Sequence, residues 1–450
     1  MRRTMVPAIG IGWLLAALVA ARTCQGATLR AGVAKVDITP PGRELLFGYD
    51  NRLTPATGRL DPLYARVLVL EVGEKRLAWV DLDLGRPFGP ESINQIREAV
   101  RRSSRISYLL VQATHTHSGP VVMDAYEGGL PAWERAAIEK IERAIDEASR
   151  RLTDVQIGTE DGEANVGYNR RRLNPDGTVT MLWSNLTRIP TFPVDPTVTV
   201  LRIDTSDGQP LAVLVNYACH PVVLGQNLQY SADFPGIMTR VVETAFGERP
   251  VCFFIQGAPG DINPYARRLG EGGSAQLEVA GRQLGDEVVR IAKTIRTEAE
   301  SKATLDVAED LLTFRLRWNL EKYRQVLLAD LGPAVFRNYA PRITEELQLP
   351  VATVLINKRV ALMTMPGEPF VEFQINWRDR CPVRDAFFLG YTNAYFGYFP
   401  TIPAAAEGGY GAGSSITWVE VGAGEKMVDH ALVKIYEMLG RLTDVPQEVR

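Results

Sequence analysis

Residues 107–120 read SYLLVQATHTHSGP, an apolar run of strand composition that ends in two histidines one residue apart. The whole chain of 450 residues contains only four histidines. Because side chains at positions i and i+2 of a strand point to the same side, we expect His115 and His117 to face one cavity where the strand ends. The alternative is that both rings only form hydrogen bonds at a surface strand end.

Outward from this stretch, strand-like runs alternate with helix-like runs. RVLVLEV and RLAWVDLDL predict a hairpin, and residues 90–103 predict a helix that begins at Pro90. Further helices are expected near residues 132–152, 235–246, 275–295 and 424–439, with strands near 211–219 and 251–257. This alternation predicts an α/β fold with mixed β-sheet layers flanked by helices. We expect one catalytic unit over residues 27–450, in which 318–349 forms a helical excursion or lid.

Composition and charge narrow the class of protein. The chain is 46% hydrophobic and 23% charged, with a formal net charge of −3, which is typical of a globular protein and gives no electrostatic footprint for nucleic acid. Residues 1–26 have a basic start, an apolar run and then small residues, which predicts a cleaved secretory signal peptide. An uncleaved anchor and a lipoprotein at Cys24 are the alternatives. We therefore expect a periplasmic or secreted protein without stable membrane insertion after cleavage.

The remaining cysteines do not suggest a disulfide framework. Cys219, Cys252 and Cys381 are odd in number and widely spaced, and the first two lie in apolar runs. We expect buried thiols, although one pair could bridge.

Polar residues follow several of the apolar runs at the point where each gives way to a Gly- and Pro-rich loop. These residues are His115, His117, His220, Asp261, Asn263, Glu368, Tyr395 and Tyr398. In open α/β sheets, sites form at the carboxyl ends of the strands. Two or three histidines with a carboxylate are typical of catalytic zinc, and manganese or iron also fits the ligand types. The alternative is that these side chains only satisfy backbone groups at strand ends.

Several motifs, in this order, resemble the neutral/alkaline, non-lysosomal ceramidase family. They are LRAGVAKVDITPPG, LFGY, ARVLVLE, THTHSGP, GYNRR, the HP of residues 220–221, SADFPG, GDINP, MPGEPF and NAYFGYFPT. The resemblance extends from about Leu29 to about Trp418.

The resemblance implies a zinc amidase in which zinc-bound hydroxide attacks the amide carbonyl of a ceramide-like N-acyl substrate. It implies a metal-ligand set of four residues, His115, His220, Glu368 and Tyr398. It also implies that His117 and Arg170 contact the substrate carbonyl or the developing oxyanion. Two alternatives stay open: a zinc hydrolase of a polar ester or an N-acylated sugar, and a non-catalytic binding relative of the family.

Two departures from the family pattern affect these expectations. The family's GDxSP motif reads GDINP here, so Asn263 stands where the family has serine, and an amide side chain cannot act as a hydroxyl nucleophile. We expect Asn263 to donate a hydrogen bond or hold the substrate. We interpret the neighbouring Asp261 as orienting a ligand histidine or capping its loop. The family continues into a C-terminal β-sandwich, whereas this chain ends at Arg450, so we expect a substrate more accessible to water than membrane ceramide.

Overall fold

The computed structural model describes residues 27–267 and 273–442, so the predicted signal peptide lies outside the described residues. The strands are β1 (Arg30–Asp37), β2 (Gly58–Arg59), β3 (Tyr64–Val72), β4 (Lys75–Leu82), β5 (Tyr108–Ala113), β6 (Thr153–Glu163), β7 (Gly167–Asn169), β8 (Arg171–Leu173), β9 (Val179–Met181), β10 (Thr197–Thr205), β11 (Pro210–Tyr217), β12 (Gln229–Tyr230), β13 (Val251–Gln256), β14 (Ile262–Pro264), β15 (Leu305–Arg315), β16 (Glu346–Ile356), β17 (Val360–Thr364), β18 (Glu368–Pro369), β19 (Asp385–Leu389) and β20 (Tyr398–Phe399). The helices are α1 (Pro90–Ser104), α2 (Ala132–Arg150), α3 (Asp233–Ala245), α4 (Ser274–Thr294), α5 (Leu320–Tyr339), α6 (Val371–Arg380), α7 (Ile402–Glu407) and α8 (Ala423–Met438).

A large sheet carries eight strands in the order β13-β11-β10-β6-β1-β3-β4-β5. The predicted hairpin is confirmed, since β3 and β4 pair antiparallel. At the two edges the pairs β4/β5 and β11/β13 are parallel, so the sheet is mixed. Parallel edge pairs matter for the site, because their carboxyl ends emerge together.

A second sheet has the order β15-β16-β17-β19 and packs face to face on the large one. Apolar side chains fill the space between the sheets, among them Leu68, Leu110 and Phe253 from the large sheet and Val354 and Phe387 from the small one. On the outer face of the large sheet lie α1 to α4, and α6 and α8 cover the small sheet. The prediction of mixed sheet layers flanked by helices is therefore confirmed.

Buried amides join the strands near the site. Gln112 at the end of β5 donates to the backbone oxygen of Gln256 at the end of β13, with 2.8 Å between nitrogen and oxygen. Asn216 on β11 donates to the backbone oxygens of Ile255 and Phe388, which lie on different sheets. These bonds satisfy polar groups that would otherwise be costly to bury. They hold the carboxyl ends of β5, β11, β13 and β19 close together.

The predicted helical excursion contains α5, and β16 begins at Glu346 within the same range. Helix α5 is interrupted at Gly332, which has φ of 74° and is followed by Pro333. Leu327 and Phe336 are partly buried against the core of the small sheet, whereas Leu328 is exposed. A lid function for this segment stays a prediction.

Cys219 and Cys252 are buried thiols, as expected, and no disulfide forms among the described residues. Within residues 27–267 and 273–442, no helix is both long and apolar enough to cross a membrane.

Candidate metal centre

Three side chains from three different loops converge on one point. Nε2 of His115 lies 3.4 Å from Oε2 of Glu368, and Nε2 of His220 lies 3.2 Å from the same oxygen. All three side chains are buried. The histidines follow β5 and β11 of the large sheet, and Glu368 follows β17 of the small sheet. The structure therefore brings together residues from both sheets at the carboxyl ends of their strands.

The path of the chain at His115 differs from the sequence-based expectation. Strand β5 ends at Ala113, and His115 has a left-handed backbone with φ of 70°. His115 and His117 therefore do not meet as alternate residues of a strand. They meet because the turn beyond the strand brings their Nε2 atoms to 3.2 Å. The expectation of a shared cavity holds, but its reason was wrong.

Backbone carbonyls fix the orientation of both buried rings. Nδ1 of His115 is 2.6 Å from the backbone oxygen of Gly85, and Nδ1 of His220 is 2.6 Å from that of Pro259. A carbonyl oxygen only accepts hydrogen bonds, so each Nδ1 carries the proton. A neutral ring with its proton on Nδ1 presents a lone pair at Nε2.

This donor set fits a metal ion. Burial lowers the pKa of His220 to about 4, so its ring is neutral at pH 7 and its Nε2 lone pair faces the Glu368 carboxylate. Two hydrogen-bond acceptors at 3.2 Å repel each other unless a cation lies between them. Two imidazole nitrogens and a carboxylate oxygen are ligands of the kind that catalytic zinc uses. His115, His220 and Glu368 would hold the ion.

Glu368 is also surrounded by tyrosines. The hydroxyl of Tyr391 donates to Oε2 at 3.3 Å, and that of Tyr395 donates to Oε1. Burial works to raise the pKa of Glu368, but the neighbouring His115 and His220 outweigh it and hold that pKa well below its usual range. The carboxylate is therefore ionised at neutral pH, as a metal ligand must be.

Tyr398, the tyrosine ligand implied by the family resemblance, is buried at the same site. Its backbone pairs with that of Glu368 between β18 and β20. Burial and the negative charge of Glu368 raise the pKa of its hydroxyl well above the usual value. A phenolate at this position would therefore need a nearby cation, such as a metal ion, to lower the pKa of the hydroxyl.

His117 is partly exposed and extends the histidine cluster toward solvent. One nitrogen from each of His115, His117 and His220 lies within 4.8 Å of the others. Burial, His115 and His220 lower the pKa of His117 well below its ordinary value, so the ring is neutral. His117 packs edge-on against Phe47 and Tyr49, with ring centroids 5.8 and 5.2 Å apart.

Arg170 and Asn263 lie on the other side of Glu368. One Arg170 nitrogen is 3.1 Å from the Tyr398 hydroxyl, and another is 3.5 Å from the side-chain oxygen of Asn263. Burial works to lower the Arg170 pKa, but the Tyr398 and Tyr410 hydroxyls outweigh it and raise that pKa. Arg170 therefore stays charged. The Arg170 guanidinium therefore lies between the Tyr398 hydroxyl and the Asn263 side-chain amide.

Asp261 does not orient a ligand histidine, contrary to one of our two interpretations. Its carboxylate accepts from the Asn169 side chain at 2.7 Å and from the Val371 backbone at 2.9 Å. Asp261 ties the strand before Arg170 to the first residue of α6, three residues after Glu368. The histidines rely on backbone oxygens from Gly85 and Pro259 instead.

Apart from Tyr395 and Tyr398, the aromatic residues around the centre received no role from sequence reasoning. Tyr391 stacks on His115 with a centroid distance of 4.1 Å, and Trp183 and Tyr410 flank Arg170 at 5.5 and 5.1 Å. Tyr391, Trp183 and Tyr410 lie in loops without hydrophobic periodicity, so no sequence pattern predicted their position at the centre. The LFGY motif, which holds Phe47 and Tyr49, was the available signal.

The fold and site together define an α/β protein with a histidine- and carboxylate-based candidate metal centre between two sheets. A sequence model of the neutral/alkaline non-lysosomal ceramidase N-terminal region matches residues 29–270. This match covers more than half of the chain, so the chain belongs to the neutral/alkaline non-lysosomal ceramidase family.

Individual relatives support this membership. Neutral ceramidase B of Dictyostelium discoideum is 28% identical over 262 residues, or 52% of this chain and 35% of that protein. Neutral ceramidase of Pseudomonas aeruginosa is 27% identical over 194 residues, or 39% of this chain and 29% of that protein. The matches thus span about a third of the length of these curated relatives.

Solved structures show the same fold. The crystal structure of neutral ceramidase from Pseudomonas aeruginosa has a TM-score of 0.72 and 19% identity, covering 93% of this chain and 76% of that one. A ceramidase complexed with C2 has the same TM-score and identity, covering 94% of this chain and 77% of that one.

Proposed function

We propose that this chain is an exported, zinc-dependent hydrolase that cleaves the amide bond of an N-acyl, ceramide-like substrate. One observation carries the proposal. Two histidines whose Nδ1 atoms are hydrogen-bonded to backbone oxygens direct their Nε2 atoms at a single buried carboxylate oxygen. Family membership supports amide hydrolysis, and the sequence of residues 1–26 supports export.

The proposed ligand set is His115, His220, Glu368 and Tyr398. A bound zinc ion would supply Lewis acidity and lower the pKa of a water ligand to about 7. Two histidines and a glutamate form a ligand set that catalytic zinc uses, and elemental analysis separates zinc from iron or manganese at this site. Glu368 also keeps its tyrosine partners, which orient the carboxylate.

The remaining polar residues would act on the substrate. Amide hydrolysis forms a bond between water oxygen and the carbonyl carbon, places negative charge on the carbonyl oxygen, and then breaks the C–N bond as the nitrogen takes up a proton. Arg170 is a permanently charged donor suited to that developing oxyanion. A well-placed donor of this kind contributes about 3–4 kcal/mol.

His117 suits proton movement as well as hydrogen bonding. As a neutral imidazole it has one N–H and one lone pair, and its Nδ1 has no hydrogen-bond partner among the described residues. It would donate to the carbonyl oxygen or pass a proton to the departing amine. Asn263 would hold the substrate, since its side-chain nitrogen meets no hydrogen-bond partner of good geometry in the described part of the chain.

The test is elemental analysis of the purified protein together with hydrolysis of a soluble short-chain N-acyl substrate. We expect about one zinc per chain, loss of zinc in His115→Ala and His220→Ala, and loss of hydrolysis on chelation. His430→Ala is the matched control, because this histidine lies on α8 and pairs with Asp310 at 2.9 Å.

Unchanged zinc in both ligand variants would refute the site. Zinc without hydrolysis of any amide would favour a polar ester or a non-catalytic binding role, and hydrolysis only of an N-acylated sugar would favour that substrate over a ceramide-like one. Sequencing of the mature amino terminus tests export, with cleavage expected near Gly26.

A further inference from the structure

The outer side of the centre has a rim of aromatic rings and a second guanidinium. We define this rim as Tyr49, Trp183, Arg267 and Tyr410. Arg267 lies 5.7 Å from the Trp183 ring centroid and donates to the Trp183 backbone oxygen at 2.9 Å. The Trp183 and Tyr410 rings pack edge-to-face at 5.2 Å. Both rings also contact Arg170, so the rim adjoins the proposed oxyanion site.

On its other side the rim adjoins His117. Tyr49 lies edge-on to the His117 ring at 5.2 Å. Burial raises the pKa of the Tyr49 hydroxyl, and the nearby positive charge of Arg267 opposes that shift. The hydroxyl is therefore close to the guanidinium, although the two do not meet the geometry of a hydrogen bond. Arg267 therefore lies near Tyr49, which contacts His117, and near Trp183, which contacts Arg170.

The rim presents donors that lack partners. The Tyr49 hydroxyl and the Nε of Arg267 are buried atoms without a hydrogen-bond partner among the described residues. The Nε of Arg170 and the Nδ1 of His117 are in the same condition. Buried donors of this kind are costly unless a ligand with acceptor atoms satisfies them. The Tyr49 hydroxyl and the two guanidinium nitrogens are donors, and together they point to an acceptor-rich ligand.

Among the described residues, the hydrogen bond that Arg267 donates goes to a backbone oxygen and not to a carboxylate. Glu368 already accepts hydrogen bonds from two tyrosines and faces two histidines. Asp50 acts electrostatically on Tyr410, but it is exposed, and water and salt screen its charge. A planar guanidinium with unused donor capacity is well suited to a carboxylate or phosphate.

We propose that Arg267, with Tyr49 and Trp183, forms a subsite for an anionic group carried by the substrate, so that the preferred substrates are N-acyl compounds bearing a carboxylate or a phosphate. This inference rests on the proposed amide hydrolysis and specifies its substrate class. Arg267 is a specificity residue in this scheme, whereas His117 and Arg170 act at the reacting carbonyl.

The experiment compares three soluble substrates that share the same acyl group: N-hexanoylglycine, N-hexanoylethanolamine phosphate and the neutral N-hexanoylethanolamine. For the wild-type protein we expect kcat/KM to be about tenfold higher for at least one anionic substrate than for the neutral one. Arg267→Gln should lower kcat/KM for that substrate about tenfold or more, mainly through KM, because a charge-assisted contact is lost. The neutral substrate should change by less than about twofold.

Two further variants separate binding from structure. Arg267→Lys should restore part of the preference, because the charge remains while the forked geometry is lost. Arg188→Gln is the matched control, since Arg188 is exposed and lies over the Tyr265 ring at 4.5 Å. The relative rates for carboxylate and phosphate identify which anion the subsite takes.

Equal losses on neutral and anionic substrates in Arg267→Gln would overturn the inference, as would a wild-type preference for the neutral substrate. If the wild-type protein cleaves no amide, the proposed function fails and the subsite is tested by calorimetry. N-hexanoylglycine should then bind the zinc-loaded protein with a Kd at least about fivefold lower than in Arg267→Gln. An identical Kd for the two proteins, or no detectable binding, would refute the subsite.

Discussion

Glu368 shows how much one side chain can organise at the residue scale. One of its oxygens faces the Nε2 atoms of His115 and His220, and the other accepts from Tyr395. The ordinary reading of such contacts is a pair of ion pairs, but a neutral His220 cannot form one. The arrangement of the carboxylate and the imidazoles therefore fits a metal ion better than it fits a pair of ion pairs.

For His117, a role in substrate binding or proton transfer can be distinguished experimentally from a role as a metal ligand. It belongs geometrically to the histidine trio, yet it is partly exposed and is assigned here to the substrate. We expect His117→Ala to retain about one zinc per chain while kcat falls about 10²–10³-fold, the usual effect of removing a donor to the oxyanion. Elemental analysis and steady-state kinetics on the same preparation check this. Zinc lost from His117→Ala would instead place this ring among the ligands.

At the scale of elements, the loop between β1 and β2 shapes the site from outside the sheet. It carries Phe47, Gly48 and Tyr49, and Gly48 has a left-handed backbone with φ of 104°. A Cβ atom at Gly48 would lie 2.2 Å from Nδ1 of His117, far inside van der Waals contact. The glycine is therefore required by both backbone conformation and the close approach of the ring.

This contact gives a specific expectation for Gly48→Ala. The methyl group should displace the His117 ring, so activity should fall about as far as in His117→Ala while zinc content is retained. The matched control is Gly42→Ala in the same loop, where the nearest atom to an added Cβ is a flexible Glu44 oxygen at 3.5 Å. Activity in Gly48→Ala equal to that of the control would contradict the role given to His117.

The helical excursion is tied to the tyrosine loop by charge. Arg342, just after α5, pairs with buried Asp124 and lies 4.5 Å from the Phe396 ring centroid. Asp124 also pairs with buried Arg86, which lies 5.0 Å from the ring of Tyr395. The excursion is thus linked through two guanidiniums to the tyrosine that supports Glu368. Movement of residues 318–349 would therefore shift Tyr395 and, through it, Glu368 of the candidate metal centre.

At the scale of the whole molecule, buried acids should give the fold a distinctive response to pH. Burial raises the pKa of Asp233 to about 6 from its ordinary value of 3.8, although three backbone N–H groups oppose the shift. The protonated form is therefore favoured by folding. The contribution of Asp233 to the free energy of unfolding is fully present below about pH 4 and is lost as pH rises through about 6.

Asp233→Asn removes this titrating group, so a comparison of the variant with the wild type isolates its effect on stability. Between pH 4 and 7 the free energy of unfolding of the wild type should fall relative to that of the variant, by ~3 kcal/mol at most. Denaturant unfolding of both proteins at several pH values measures the difference. Asp207→Asn, which removes an exposed carboxyl group, is the control. A wild-type-minus-variant difference that stays constant with pH would show that Asp233 does not titrate in this range.

The sequence predicted the architecture and the residues of the candidate metal centre better than it predicted the residues around that centre. His115, His220 and Glu368 each follow an apolar run, so strand-end reasoning could place them together. The left-handed turn at His115 and the carbonyl partners of the rings could not be predicted, since they depend on loop geometry. Trp183 and Arg267 are separated by over eighty residues and belong to loops, where no periodic pattern signals proximity.

The carbonyl anchors of the two buried histidines have a consequence for mutational robustness. A carboxylate that orients a ligand ring can be removed by a single codon change, but a backbone oxygen is present whatever residue the gene encodes. The orientation of both rings is therefore insulated from most point mutations at the anchoring positions. Gly85 remains the vulnerable one, because any side chain there would place its Cβ 2.1 Å from the Phe47 ring. The alignment of the two imidazoles therefore depends on Gly85 and on the path of the backbone, and not on the side chain at Pro259.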